Sequence, residues 1–460
     1  MAGLLGSLSA AARAMNAQAM GLQVVGENIA NVNTPGYARR VVDLAAVPPE
    51  SRWSAGNGVE VAGIRSIRDM LVEVRLLQEV SAHGEQAALA DGLGAIDAML
   101  GRPGESIDGA LTAFFDAFSE LADNPTSASA RQGVLAQGAS LADGFHDLSS
   151  RLADARFDAD SRLAEAVGRV NTLAGEIASL NASIGIAGDR DSTTLMELRD
   201  RQMQALQELS ELVQVHTIAR EDGGFEVTLG NGRPLVAGVH AVPLAVSRNA
   251  DGTIAFLSQD VDVTQEVTGG RLGGLRQLRD KLIPGYQSRL DTLASGVVTQ
   301  VNLLHEAGFD LDGNEARPFF TPLSGTAGAA TSIEVNPELT ANARLVAAAT
   351  TAEAGDNGAA RAIAALRGAR VLDDGTATFA EGFGNFAYRV GADRALAMQR
   401  EAGCAEAVRQ VRNLRESVSG VSIDEEAALM MKFQRAYQAN ARYFQSVDAA
   451  IQTLLQLVGA

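Results

Sequence analysis

Five histidines, one cysteine, one acidic loop and one glycine cluster carry the residue types that chemistry could use, and none sits at the spacing that chemistry requires. His83, His146, His216, His240 and His305 stand singly, with no pair at metal-ligand spacing on a helix and no acidic motif of the metalloprotease kind. Each reads as a structural histidine. Asp310, Asp312 and Asn314 imitate the opening of a calcium-binding loop, but glycine falls out of place at Gly313 and the terminal bidentate glutamate is missing, so a solvated turn is expected. The glycines within 269–274 precede a helical stretch but lack the Lys-Ser/Thr of a phosphate loop and the strand context of a dinucleotide site. They read as a hinge. Cys404 lies on a helix without an obvious basic partner and reads as a packing thiol. As the single cysteine it allows no intrachain disulfide and leaves a cysteine-based zinc site without ligands. No catalytic constellation, metal or cofactor is expected.

With chemistry set aside, the elements themselves become the subject. The 460 residues suffice for two to four domains, and an apolar content of 46% with only 5% aromatics implies a core of alanine, leucine and valine in close-packed helices. Thirty-eight basic against 56 acidic side chains give a net charge of −18, a field that repels phosphate backbones and anionic membranes. Nucleic acid is not an expected partner. The N-terminus has no basic leader ahead of its apolar residues, and no uncharged span approaches about 20 residues, so neither a cleaved signal nor membrane insertion is expected. That fits a cytoplasmic protein and equally one exported unfolded through a dedicated apparatus.

The two chain ends share a design. Leu4, Leu8, Ala11, Met15, Gln18, Leu22, Val25, Ile29 and Val32 advance by alternating steps of four and three, eight steps over 28 residues. Met430, Phe433, Tyr437, Asn440, Phe444, Val447, Ile451, Leu454 and Val458 do the same. A straight helix repeats every 3.6 residues, so a sustained period of 3.5 describes a seam following a partner in a left-handed coiled coil. Gln18 and Asn440 are then the polar residues that set register. Pro35 and Gly36 end the first helix near Asn33, and Ser422 with Glu425 forms a capping box at the start of the last one, Gly420 and Gly459 marking its limits.

Between the ends, 41–67 reads as strand and loop, and helix resumes near Arg68. A short helix carries Leu111, Phe114, Phe115, Phe118 and Leu121 between the Pro103 and Pro125 breaks. A longer one buries Leu163, Val167, Val170, Ala174, Ile177, Leu180 and Ile184, turns at Gly188-Asp189 and returns through 195–213. Alternation with period two then takes over from about 216 to 268, with Asn231-Gly232 as a hairpin turn. A second long helix follows from Leu275 to Leu304; 359–366 reads as helix, and helix returns from about Ala387 to Ser417.

At this level NIANVNTPGYARR at 28–40, with its turn residues Asn31, Asn33, Thr34, Pro35, Gly36 and Tyr37, resembles the signature of flagellar rod, hook and hook-associated proteins. The stretch SGVSIDEEAALMMKFQRAYQANARYFQSVDAAIQTLLQLV at 419–458 is similar to their C-terminal motif. Hook and rod proteins usually lack a long helical middle, whereas the FlgK family of first hook-associated proteins has one. LTAFFDAFSELADNPTSASAR at 111–131, LMELRDRQMQALQELSELVQV at 195–215 and GNGRPLVAG at 230–238 resemble it. So do 269–313 and GDNGAARAIAAL at 355–366. The strand-rich insertion that many members carry after the Phe319-Phe320 region is reduced here to a short stretch.

The resemblance implies a mainly α protein with a small β-rich lobe, an elongated rod of long antiparallel helices whose terminal helices pair as a coiled coil. The expected division is 1–33 with 420–460 as a terminal axial domain, 34–215 with 269–419 as a helical rod with extended segments, and 216–268 as an outer lobe. The implied function is structural: export from the cytoplasm, then coiled-coil assembly into a homo-oligomeric ring at the hook–filament junction. Implied partners are the hook protein, a second hook-associated junction protein and a cytoplasmic export chaperone at the C-terminal helix. Two alternatives stay open, another axial protein (hook, rod or second junction protein) and a soluble enzyme on a helical scaffold.

Overall fold

The N-terminal stripe folds as one helix, α1 (Ala2–Ala30), and the chain turns back beside it as a hairpin of β1 (Arg40–Ala46) and β2 (Val59–Ser66), with a bulge between Asp43 and Leu44. Arg13 of α1 holds the hairpin by donating to the Asn57 carbonyl oxygen at 2.6 and 3.1 Å. The computed structural model describes residues 2–34, 36–48, 57–102, 104–187, 193–230, 232–353, 355–372 and 374–458. Pro35, Pro103, Gly188-Asp189, Asn231 and Gly459 of the sequence reading lie outside them, as do the side chains of Leu457 and Val458.

Helix α2 (Met70–Met99) starts where Asp69 accepts hydrogen bonds from the backbone N–H groups of Leu71 and Val72, satisfying two donors that a helix start leaves free. α3 (Ile107–Asp123) follows, then α4 (Ala128–Ala187), whose 60 residues span about 90 Å at 1.5 Å per residue. α5 (Thr193–Leu212) returns along it. The expected α4 stripe from Leu163 to Ile184 is buried throughout.

The lobe contains a four-stranded antiparallel sheet of β3 (His216–Ala219), β4 (Phe225–Thr228), β5 (Pro234–Ala237) and β6 (His240–Ala241). A three-stranded one joins β7 (Leu244–Arg248), β8 (Ile254–Ser258) and β9 (Val261–Asp262). The second long helix comes in two pieces, α6 (Gly270–Gln277) and α7 (Ile283–Glu306), joined by a π-helical turn over Leu278–Leu282. Pro284 explains the interruption: it has no N–H to donate and its ring crowds the carbonyl four residues back, which a wider turn accommodates.

From 307 to 378 the elements are short: α8 (Ala329–Ser332), α9 (Pro337–Ala341), a 3₁₀ turn at Ala343–Leu345 and α10 (Gly358–Ala365). Side chains organise this stretch. Asp356 accepts from the N–H groups of Thr350, Thr351 and Gly358, and Asp310 accepts from those of Asp312 and Asn314. The calcium-loop imitation is thus a self-capped turn, with Asp310 buried rather than solvated. α11 (Phe379–Ser419) begins eight residues before the expected Ala387, because Thr378 and Glu381 form a capping box. After Gly420, α12 (Ile423–Val458) runs back along α1.

Two main cores result. One joins the second half of α2, α3, the first half of α4, α7 and residues 319–397; its centre is Phe114, whose ring lies 5.2 Å from Phe118, 5.5 Å from Phe319 and 5.7 Å from Phe320. The other joins the second half of α4, α5, α6 and the β lobe. A thin third cluster, Val72, Leu76 and Val80 against Val408 and Val411, welds α2 to α11 where the rod meets the chain ends.

Candidate assembly joint

The chain's two ends meet in a polar clasp. Asn28, in the last turns of α1, is fully buried and uses its whole amide: Nδ2 donates to the Arg40 carbonyl (2.8 Å) and to Glu426 (3.0 Å), while Oδ1 accepts from the Arg40 N–H (2.9 Å) and the Tyr37 hydroxyl (2.8 Å). Glu426, equally buried in the first turn of α12, takes Arg39 Nε at 2.7 Å. The Arg39 N–H also donates to the Ser419 carbonyl at 2.9 Å, so the strand entering the hairpin is bonded to the end of α11. Burial pushes the Tyr37 phenol up to about 12 although the Arg40 guanidinium, 4.9 Å above its ring, pulls the other way; the hydroxyl therefore remains a donor.

The motif turn that precedes this clasp is built from short bonds. Asn31 Nδ2 donates to the Glu27 carbonyl, the Thr34 hydroxyl to Asn31 Oδ1, and the Tyr37 N–H to the Thr34 carbonyl. Gly36 has φ +82°, the left-handed region that favours glycine, and its carbonyl accepts from Arg68 at 2.9 Å. Asn33 is exposed. A polar cavity of about 670 Å³ lies between this turn and the α11–α12 link, lined by Thr34, Arg39, Ser419 and Glu425 among others. Asp200 of α5 completes the joint, bridging Arg40 (3.3 Å) and Arg68 (2.5 Å).

The expected seam residues fall into two groups. On α12, Met430, Phe433, Phe444 and Ile451 are half-buried and Val447 is buried, whereas Tyr437 and Leu454 are exposed, at 36% and 39%. On α1 only Val25 and Ala11 of the expected stripe are buried; Leu4, Leu8, Met15, Gln18, Leu22 and Ile29 are half-buried. Ala17, Gly21, Val24 and Asn28 form the line buried instead. Gly21 accounts for the change, since a Cβ there would lie 2.7 Å from the Phe433 ring: α12 approaches α1 over its small residues, not its large ones. Ser422 holds the start of α12 only loosely, at 3.5 Å from the Glu425 N–H. Glu425 turns instead to Arg39, at 3.4 Å.

Sequence reasoning missed Asn28, Arg40, Asp200 and Glu426 as functional residues. Signals existed for three: Asn28 and Arg40 bound the 28–40 motif, and continuing the C-terminal seam one step of four before Met430 lands on Glu426. Elsewhere, among the described residues, no three His, Cys, Asp or Glu side chains converge to hold a metal, and no helix is long and apolar enough to cross a membrane. His305 is occupied on both ring nitrogens by the Arg317 carbonyl and the Ala347 N–H.

Comparison with known proteins points one way along the whole chain. The family model described as the helical domain of flagellar hook-associated protein FlgK matches residues 93–320. The C-terminal model of flagellar basal body rod FlgEFG proteins matches 415–457, and that of flagella basal body rod proteins matches 8–37. Flagellar hook-associated protein 1 of Salmonella typhimurium is 27% identical over 67% of this chain; the match spans only 58% of that relative's length. The protein of the same name from Escherichia coli is 23% identical over 96% of this chain and 98% of its own. In fold, the flagellar hook junction protein FlgK from Burkholderia pseudomallei superposes with a TM-score of 0.67 at 17% identity, covering 75% of this chain and 100% of that one.

Proposed function

Because the chain belongs to the FlgK family of flagellar hook-associated proteins, we propose that it is a structural subunit of the bacterial flagellum, joining hook to filament as one of a ring of identical copies. The observation that carries this reading is the pairing of α1 with α12 under the Asn28–Glu426 clasp, which gathers both chain ends into one unit at one end of the rod. That unit is poorly covered. Among the described residues of α12 only Glu426 and Val447 are buried, while Met431, Tyr443 and Leu455 stand about half exposed. So little burial does not offset the entropy of holding two long helices; the pair fluctuates in the free chain and gains its order from neighbouring copies.

A ring about an axis needs contacts between different faces of one subunit, which the apolar outer residues of α1 and α12 supply. The hook protein lies on one side of the ring and a second hook-associated junction protein on the other. Before export a cytoplasmic chaperone covers α12, whose exposed apolar residues invite aggregation. The protein is then secreted into the flagellum, and its work makes and breaks no bond.

Deleting the gene tests this directly. Cells expected to build hooks and shed their filaments, with free filament protein in the medium, support the junction role; cells without hooks reject it in favour of a rod or hook protein.

A further inference from the structure

The clasp has two layers with different partners. Asn28, Tyr37, Arg39 and Glu426 tie the chain ends to each other, whereas Asp200 of α5 ties them to the rod, beside the Arg39 N–H bond to Ser419 of α11. The Asp200 carboxylate lies between Arg40, at the start of β1, and Arg68, at the end of the hairpin, so that both ends of the hairpin are pinned to one point on α5. The motif turn rests on the same point, a Cβ on Gly36 falling 3.7 Å from the Asp200 carbonyl oxygen. Arg68 reaches further to Glu73 of α2 at 3.6 Å.

This outer layer is incompletely satisfied. Arg40 Nε, Arg68 Nε and Glu73 Oε2 are buried without a hydrogen-bond partner among the described residues. Desolvation offsets much of the attraction in a buried charge network, so the net stability it adds is small, and the directed bonds from Arg40 and Arg68 to Asp200 are what can set geometry. We propose that Asp200 is the positioning residue that fixes the angle between the motif turn with its hairpin and the rod, and thereby the direction in which the terminal pair is presented to neighbouring copies. The second half of that statement rests on the axial-subunit reading; the first half does not.

The test uses the full-length chain with Cys404→Ser, carrying spin labels at Glu60→Cys on β2 and Glu176→Cys on α4, both exposed positions. The distance distribution between them is expected to be narrow with Asp200 in place. Asp200→Asn is expected at least to double its width, with the thermal transition of the rod unchanged, and Asp200→Glu is expected to restore it. Hooks of Asp200→Asn cells are expected to lose at least half of their filaments while the protein is still exported. A distribution that is already broad with Asp200 present, or one that Asp200→Asn leaves unchanged, overturns the positioning role. Broadening without any loss of filaments overturns only its consequence for assembly, and the gene-deletion result stands apart from both.

Discussion

Asn28 and Glu426, 398 positions apart in the chain, face each other across 3.0 Å inside a clasp that leaves neither exposed. Four hydrogen bonds converge on that one amide, so Asn28→Ala removes the partner of the Tyr37 hydroxyl, the Arg40 N–H and carbonyl, and one Glu426 oxygen, while Arg39 keeps the other oxygen. Leaving such groups unpaired costs about 1–3 kcal/mol each way the site fails to relax. Amide hydrogen exchange in 423–430 is expected to accelerate at least tenfold, with the rod unaffected; unchanged exchange would show that the clasp does not hold α12.

Gly21 and Phe433 make a purely steric prediction. Gly21→Val places methyl groups where the ring now lies, and overpacking of this kind costs about 1–3 kcal/mol. Loss of motility is expected, with partial recovery when Phe433→Ala is added in the same chain. Failure of the second change to help would place the defect elsewhere than in the α1–α12 approach.

Leu454 is 39% exposed in the single chain, so Leu454→Asp is expected to leave the rod's melting curve where it was. In a ring, where neighbours cover that face, a carboxylate in a dry seam is costly and incorporation is expected to fail. Normal junctions carrying the variant would exclude α12 from the contact between copies.

His305 predicts the acid limb of rod stability. It is fully buried and neutral, donating from Nδ1 to the Arg317 carbonyl and accepting from the Ala347 N–H at Nε2, and burial lowers its pKa from 6.5 to about 4. The unfolded chain therefore binds a proton that the folded chain refuses. The contribution is complete above pH 6.5 and is lost as pH falls toward 4, about 3 kcal/mol over the window. Urea midpoints measured across that range are expected to slope downward with falling pH in the native chain and to flatten in His305→Gln.

Where a helix is buried by its own largest residues, the sequence reading succeeds, as along Leu163 to Ile184 of α4 and around Phe114 of α3. On α1 it takes the large residues Leu4, Leu8, Met15 and Leu22 as the inner face, and the partner helix lies instead over Ala17, Gly21 and Val24. Hydrophobicity ranks residues by size, whereas a close approach between helices selects small ones, and only the identity of the opposing ring decides between them. The α11 start was legible in Thr378 and Glu381, a capping pair hidden by the glycines around it. Asp200 was not: nothing local distinguishes it from other charges on α5, and its role arises from two arginines 132 and 160 positions away.

α4 enters one core at Ala130 and leaves the other at Ala178 without a cap or break between. Midway, where the two cores part, Asp160 pairs with the buried Arg279 of the π turn, so the interrupted second helix is pinned to the continuous one at its own weak point. Mechanically the rod is then a shaft with a weld rather than two beads on a string. A twist applied at one end is carried to the other through the backbone of α4, and slippage between the two halves is resisted where Asp160 holds Arg279 and Arg248.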